Sequence, residues 1–562
     1  MIIGLDVGGT HTDVVLLGNE GVIREIKVST DQEDLFATVM AGLEKVTEGI
    51  APESIRRAVL STTLTTNAIA EQKTPPVGLI VSSGPGIDPT QFQFHEDFFA
   101  VSGSIDHRGR EVEPVDAVQI RAAAEQLEKK GIRQVGVVSK FSTRNPIHET
   151  TICNLISDRF DRVFMGHQVS GQLNFPRRVA TTYLNAAVYP IHRSFFAAVK
   201  KSLDQKGLTI PIHILKADGG TMSIDASVDF PGQTILSGPA ASIMGALPFS
   251  FEKEDCLVLD VGGTTTDIAV LVDRSPVLNP LGIDLGPYKT LIRSLETESI
   301  GVGGDSAVRI VDGSVKIGPD RLGPPMAHGG ASPTPTDALS ILGTKKTGDR
   351  EAAVRGFAPL AEALGASIEE TAMKVVESAC IKILDRARAI IDRLNSKPVY
   401  TVTEIREGFK IRPEKILVLG GPAHHFARHL ERLSEYKVGV VPRWKVANAI
   451  GAALARTTCE VTFFADTQIG VAKAPEENYS CDVGREFSRD DAVESAFSLL
   501  REKAMRMGAQ TEDLILEVIE ELQFNMVRGF STTGRNIRIR VQVKPGLINE
   551  YDTIAGLLAT AD

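Results

Sequence analysis

The sequence predicts an α/β protein organised around two copies of one β-hairpin, with a small α+β region at its C-terminal end. Three observations carry this. Residues 2–17, IIGLDVGGTHTDVVLL, return as residues 256–271, CLVLDVGGTTTDIAVL. Each copy is an apolar run, an aspartate, a Gly-Gly-Thr turn, a Thr-Asp pair and a second apolar run, a pattern that reads as a hairpin. Between and after the copies, buried-type strands alternate with helical stretches, the mark of an α/β domain. From about Val461 the pattern changes to helices followed by strands.

In chain order, residues 31–46 follow the first hairpin with helical periodicity (Leu35, Val39, Leu43, Val46). Residues 58–71, AVLSTTLTTNAIAE, read as a strand, a Thr-rich turn and a helix start. The hydroxyls there, and Thr66 with Asn67, cap a helix or bind an anion, capping being the commoner case. Residues 77–81 and 135–138 are buried strands, and 115–130 a helix. A polar connection with a turn at Arg108-Gly109 precedes that helix. The loop 141–149, FSTRNPIHE, follows a strand and leads into a helix at 148–158. A long helix is expected over 180–203, and a strand over 212–215 running into Asp218-Gly219-Gly220. Residues 235–247, ILSGPAASIMGAL, and 446–454, VANAIGAAL, read as helices lined by small residues that admit close neighbours. After the second hairpin come a Gly-rich stretch at 300–306, a strongly helical 368–395, and a buried strand at 416–419 delivering Gly420-Gly421-Pro422. In the tail, helices are expected near 490–507 and 511–521, then strands at 524–530 and 536–543. The expected division is 1–180, 181–460 and 461–562.

The hairpin turns carry the chemistry. Their glycines are expected to supply positive φ and close backbone approach. A turn of bare N–H groups and Thr hydroxyls suits a phosphate chain. Asp6 and Asp260 at the strand ends would repel that phosphate unless a cation intervenes, so the order is aspartate, hydrated Mg²⁺, nucleotide. Thr10, Thr12, Thr264, Thr265 and Thr266 contact phosphate or water, or pack the strands. Asp13 and Asp267 orient the attacking group or cap the turns. No G-x-x-x-x-G-K-[ST] loop occurs, so no loop lysine is available to the phosphates.

Composition narrows the classes. With 562 residues the chain exceeds one core. A net charge of −10 without long Lys/Arg runs leaves no footprint for nucleic acid. Five cysteines without a C-x-x-C pair argue against a disulfide framework or a zinc or iron–sulfur site within one chain. No apolar run reaches membrane length, and the first strand begins at Ile2, so a cytosolic protein is expected.

The order of pieces resembles the actin-like ATPase superfamily, in which two RNase-H-like domains close over a nucleotide. That resemblance implies ATP and Mg²⁺ as cofactors and carboxylates Asp6 and Asp260 holding the hydrated metal. It places phosphate loops at Gly8, Gly9 and Thr10 and at Gly262, Gly263 and Thr264, an adenosine motif at Gly420, Gly421 and Pro422, and connecting helices beginning at Pro239 and Ala447. Within the superfamily, the blocks STTLTTNA, HRGREVEP, FSTRNPIHE, TTYLNA, LSGPAAS, LDVGGTTTD, SIGVGGDS, PTPTDA and LGGPAHH resemble the hydantoinase/oxoprolinase family, A-subunit type. This implies ATP-dependent activation of a cyclic amide or carbonyl, with Thr66, Asn67, Arg144 and His148 as substrate residues and a hydantoinase B-type partner subunit. The chain has Leu60-Ser61 where members commonly carry His-Gly, and Asp305 inside a run that is commonly Gly-Gly-Gly-Ser. Two rival classes are an ATP-driven regulator of a partner protein and a reductive-dehydratase activator, the latter needing cluster cysteines that are not evident.

Overall fold

The computed structural model describes residues 1–9, 11–31, 33–250, 254–343, 348–396 and 410–549; Thr10 lies outside them. Both copies of the repeat form antiparallel hairpins, Ile2–Val7 with His11–Gly18 and Cys256–Val261 with Thr266–Val272. Each is the nucleus of its own six-stranded sheet. The first runs Thr221–Ser223, Ile212–Leu215, Arg57–Thr62, Ile2–Val7, His11–Gly18, Gly21–Ser29. The second runs Ser275–Pro276, Thr266–Val272, Cys256–Val261, Lys415–Leu419, Lys437–Val440, with Thr297–Ile300 added on Thr266–Val272. In both, the first hairpin strand pairs in parallel with a strand from far along the chain, Arg57–Thr62 in one and Lys415–Leu419 in the other. A third, all-parallel sheet joins Val77–Ser82, Gln134–Ser139, Arg162–Met165 and Phe98–Ala100.

The helices Ser237–Ala246 and Ala447–Leu454 lie between the two hairpin sheets. One apolar core shows this: it joins Ile2, Val15 and Val59 of the first sheet to Cys256, Val258 and Leu417 of the second through Ala241, Met244, Ile450 and Ala453. Small residues make the approach possible. A β-carbon on Gly451 would stand 2.2 Å from the Gly245 nitrogen, and one on Gly4 would stand 1.9 Å from the Ala449 carbonyl oxygen. The helix pair is thereby locked both to itself and to the strand that carries Asp6. The outer faces of the sheets are covered by Leu35–Thr47 and Phe175–Gln205 on one side and by Ile368–Asn395 on the other. The long helix begins earlier than its periodicity indicates, because Asn174 caps it and Pro176 occupies its first turn.

The C-terminal region is a five-stranded sheet, Tyr479–Asp482, Val471–Ala474, Glu460–Asp466, Ser531–Val543, Leu516–Arg528, covered by the helix Arg489–Arg506. The expected helix over 511–521 is not formed. After a single turn at Thr511–Asp513 the chain enters the strand Leu516–Arg528, where a register shift between Val518 and Glu520 accommodates the broken alternation of LEVIEEL. Tertiary pairing with Ser531–Val543 overrides the helical propensity of the Glu- and Leu-rich segment. Among the described residues, no helix is long and apolar enough to cross a membrane.

Candidate functional site

The two turns are near copies. Gly8 N donates to the His11 carbonyl (3.1 Å) and Gly262 N to the Thr265 carbonyl (2.9 Å). Asp6 stands opposite Asp13 and Asp260 opposite Asp267, so each turn carries two carboxylates on one face of its hairpin. The expectation of positive φ in these turns is corrected: Gly8, Gly262 and Gly263 all have ordinary backbone angles. What they supply is space. A β-carbon would meet the His11 carbonyl at 2.9 Å on Gly8, the Thr265 carbonyl at 3.1 Å on Gly262 and the Asp305 carboxylate at 3.0 Å on Gly263.

One side chain joins the two turns. Asn448, in the first turn of the central helix Ala447–Leu454, donates from Nδ2 to Asp6 Oδ2 (3.2 Å) and to Asp260 Oδ2 (3.4 Å). Asp260 also accepts from Ser242 Oγ on the partner helix. Gly420, with φ of +94°, fits against Asp260, where a β-carbon would stand 2.3 Å from Oδ1. Burial dominates the electrostatics. It pushes the Asp6 carboxyl up to about 6, Asp13 and Asp260 adding to the rise while Ser61 and Asn448 oppose it. Burial, with Asp260 nearby, does the same to Asp267, which is pushed up to about 6. Asp260 is raised by burial against the pull of Ser242 and Asn448, and Asp13 by burial against Lys27, with which it forms an ion pair. Four carboxylates held in low dielectric favour a cation. Asp6 and Asp260 are the pair able to share one. Among the described residues no group of three or more His, Cys, Asp or Glu side chains is placed to hold a metal ion directly.

The Gly-rich stretch braces the second turn. Gly304 N donates to the Gly262 carbonyl (2.9 Å), Asp305 N to the Gly263 carbonyl (2.6 Å) and Ser306 Oγ to the Thr264 carbonyl (3.0 Å). Asp305, the departure from the family pattern, pairs with Arg321 (3.1 Å) and accepts from Thr336 Oγ1 (3.2 Å). Ser61, the other departure, lies opposite Asp6 across the parallel strand pair.

The remaining sequence candidates divide. Thr264 is half-buried and Thr265 exposed at the second turn, Gly9 is exposed at the first, and Gly421 faces open space beside Gly420. Pro422 starts the helix Ala423–Arg432 against Gly304. Thr12 is corrected: it is fully buried and its hydroxyl bonds Thr30 (3.0 Å), because on its strand it points away from the face that carries Asp13. Thr66 Oγ1 accepts from Leu236 N (2.9 Å) at the entrance to the helix Ser237–Ala246, and Asn67 donates to Thr63 Oγ1 (3.3 Å). Arg144 and His148 are held elsewhere. The Arg144 guanidinium lies over the Phe464 ring at 4.1 Å, against the C-terminal sheet, and buried His148 contacts Glu111 (3.2 Å). Asn448 and Ser242 escaped the sequence reading. Their signal is that each is a polar residue inside an otherwise small, apolar helix, where a buried polar group demands a partner.

The hydantoinase/oxoprolinase pattern matches residues 178–461, and that of the hydantoinase/oxoprolinase N-terminal region matches residues 2–160. The caprolactamase subunit alpha of Pseudomonas jessenii is 25% identical over 80% of this chain and 69% of its own length. The acetone carboxylase beta subunit of Xanthobacter autotrophicus is 23% identical over 81% and 69%. The 5-oxoprolinase of Saccharomyces cerevisiae is 22% identical over 75% of this chain, which spans only 38% of that enzyme. Among solved structures, the ATP-dependent caprolactamase of P. jessenii superposes with a TM-score of 0.73 at 20% identity, covering 98% of this chain and 88% of the other. Nucleotide-free acetone carboxylase gives 0.69 at 17% identity over the same shares. Two hairpin sheets around a central helix pair are thus the fold of these solved structures, and the mixed sheets fit the actin-like type expected from the sequence. Hairpins, helix pair and both matched regions together make the chain a member of the hydantoinase/oxoprolinase family.

Proposed function

We propose that the chain activates the oxygen of a cyclic amide or ketone-type carbonyl at the expense of ATP, and that ring opening of a lactam or hydantoin follows. The observation that carries this reading is the bridge of Asn448 between Asp6 and Asp260, which sets one carboxylate from each hairpin on a single site. The relatives named for caprolactam, 5-oxoproline and acetone chemistry support the substrate class.

A lactam oxygen is a weak nucleophile, but once it carries the terminal phosphoryl group of ATP, water opens the amide readily. In this reading the protein contributes position and charge. Asp6 and Asp260 would hold hydrated Mg²⁺, with Asn448 fixing the carboxylate rotamers. The phosphate chain lies along the turns at Gly8–Gly9 and Gly262–Gly263, whose Gly8 and Gly262 N–H groups are used to close the hairpins, and Gly421 leaves room for the adenosine. A cation held there would supply the neutralisation of phosphate charge for which the sequence offers no P-loop lysine. Thr264 and Thr265 line the phosphate path, and Asp267 orients the attacking group. Thr10, Thr66 and Asn67 belong to the same proposal, the last two on the first-sheet side of the central helix entrance.

Two relatives are named as subunits, which supports a partner of the hydantoinase B type that completes the hydrolysis. The deciding experiment is an ATPase screen of the purified chain against lactams, hydantoins and small ketones, with and without that partner. Substrate-stimulated ADP release supports the proposal. Turnover indifferent to every small molecule and stimulated only by a protein would replace it with a regulatory ATPase.

A further inference from the structure

The phosphate chain of the proposed nucleotide needs cations, and neither hairpin turn contains a lysine. The fold brings one from the neighbouring strand. Across the first sheet, Ser61, Asp6, Asp13 and Lys27 stand directly opposite one another on four adjacent strands. Opposite residues share a face with β-carbons about 5 Å apart, so Lys27 lies on the face that carries both aspartates. The second sheet has the corresponding row Leu419, Asp260, Asp267 and Ser299. The aspartates coincide in the two rows and the ends differ. Of the eight positions, only that of Lys27 holds a cation.

The ammonium is placed where a ligand can reach it. Lys27 forms an ion pair with Asp13, yet its side chain is 47% exposed against 17% for Asp13, so it caps the row at its open margin. An ammonium carries three donors, and a single carboxylate does not use them all. Two arginines in the neighbourhood are committed elsewhere. Arg443 faces Glu25 (3.5 Å), two residues before Lys27. Arg321, behind the second turn, holds Asp305 (3.1 Å) and the Gly323 carbonyl (3.4 Å).

We propose that Lys27 is the cation that meets the terminal phosphate of the bound nucleotide, a role that rests on the ATP reading of the hairpin site. Asp267, which that reading sets beside the attacking group, is the counterpart of Asp13 in the second row. By this correspondence a cation seated on Asp13 stands beside the transferred phosphoryl group, while the inner phosphates follow the turns. Lys27 bridges the Asp13 carboxylate and an oxygen of the terminal phosphate, where it offsets negative charge as the phosphoryl group leaves ADP. No bond forms or breaks at Lys27, and the ammonium keeps its three protons. A lysine suits the position because its flexible stem can turn from carboxylate to phosphate without moving the strand.

The test is calorimetry on the full chain with Mg²⁺, titrated with the non-hydrolysable ATP analogue AMPPNP and, separately, with ADP. The wild type is expected to bind AMPPNP, and Lys27→Gln to weaken that binding at least about tenfold while changing ADP binding less than about twofold. Lys27→Arg keeps the charge and should recover most of the AMPPNP affinity. The double variant Asp13→Asn with Lys27→Gln leaves no unpaired carboxylate, so it serves if the single variant does not fold, and it should bind AMPPNP just as weakly. Wild-type AMPPNP affinity in Lys27→Gln, an equal loss for both nucleotides, or recovery in the double variant would overturn the proposal. A wild-type chain that binds neither nucleotide would instead remove the ATP reading, and the role of Lys27 with it.

Discussion

Replacing Asp6 by asparagine is expected to make the protein more stable and catalytically dead. Asp6 is 9% exposed, and burial moves its carboxyl from the ordinary 3.8 up to about 6. The folded state therefore holds the proton more tightly than the unfolded chain. The cost of ionising Asp6 grows as pH rises from about 4 to about 6 and is fully present at pH 7. At about 1.4 kcal/mol for each pH unit between the two values, it amounts to about 3 kcal/mol. Asparagine is isosteric and neutral, and its oxygen still accepts from Asn448, so the variant escapes that cost. In EDTA at pH 7.5 its melting temperature should rise by several degrees, and at pH 4.5 the difference should shrink to about a third of that. ATP turnover should be lost, as in Asp260→Asn, because the cation loses a carboxylate. A melting temperature at or below wild type at pH 7.5 with native circular dichroism, or turnover near wild type, would refute the reasoning.

Three further outcomes follow from the same geometry. Protection of the wild type by Mg²⁺ in thermal melts should be weak below pH 5 and grow through about pH 6, because protons compete with the ion for Asp6 there. A pH-independent shift would place the ion elsewhere. Asn448→Ala removes the donor shared by both aspartates and should lower kcat for ATP turnover at least tenfold, about 1.4 kcal/mol, a modest share of two charge-assisted hydrogen bonds; steady-state kinetics at saturating ATP checks it. Gly451→Ala and Gly4→Ala force β-carbons to within 2.2 and 1.9 Å of backbone atoms and should each cost about 1–3 kcal/mol, read as a lowered urea midpoint. Wild-type midpoints would mean that the helix pair is loosely packed.

The sequence by itself determined the two hairpins, the aspartates at their ends and the two helices of small residues. These are local patterns: strand alternation, turn composition and the absence of bulky side chains are all written in consecutive residues. It also determined the family, because many short motifs keep one order along the chain. The tertiary structure alone decided which groups meet. Asn448 reaches Asp6 across 442 positions of chain and Asp260 across 188, a meeting that no local pattern encodes. The same holds for Thr12, whose burial depends on which face of its strand the neighbouring chain covers. It holds for the strand Leu516–Arg528, where pairing with Ser531–Val543 outweighs helical propensity. Propensity acts over a few residues, whereas burial and pairing act wherever the folded chain brings surfaces together. The chemistry of this protein therefore rests on residues that become neighbours only in the fold.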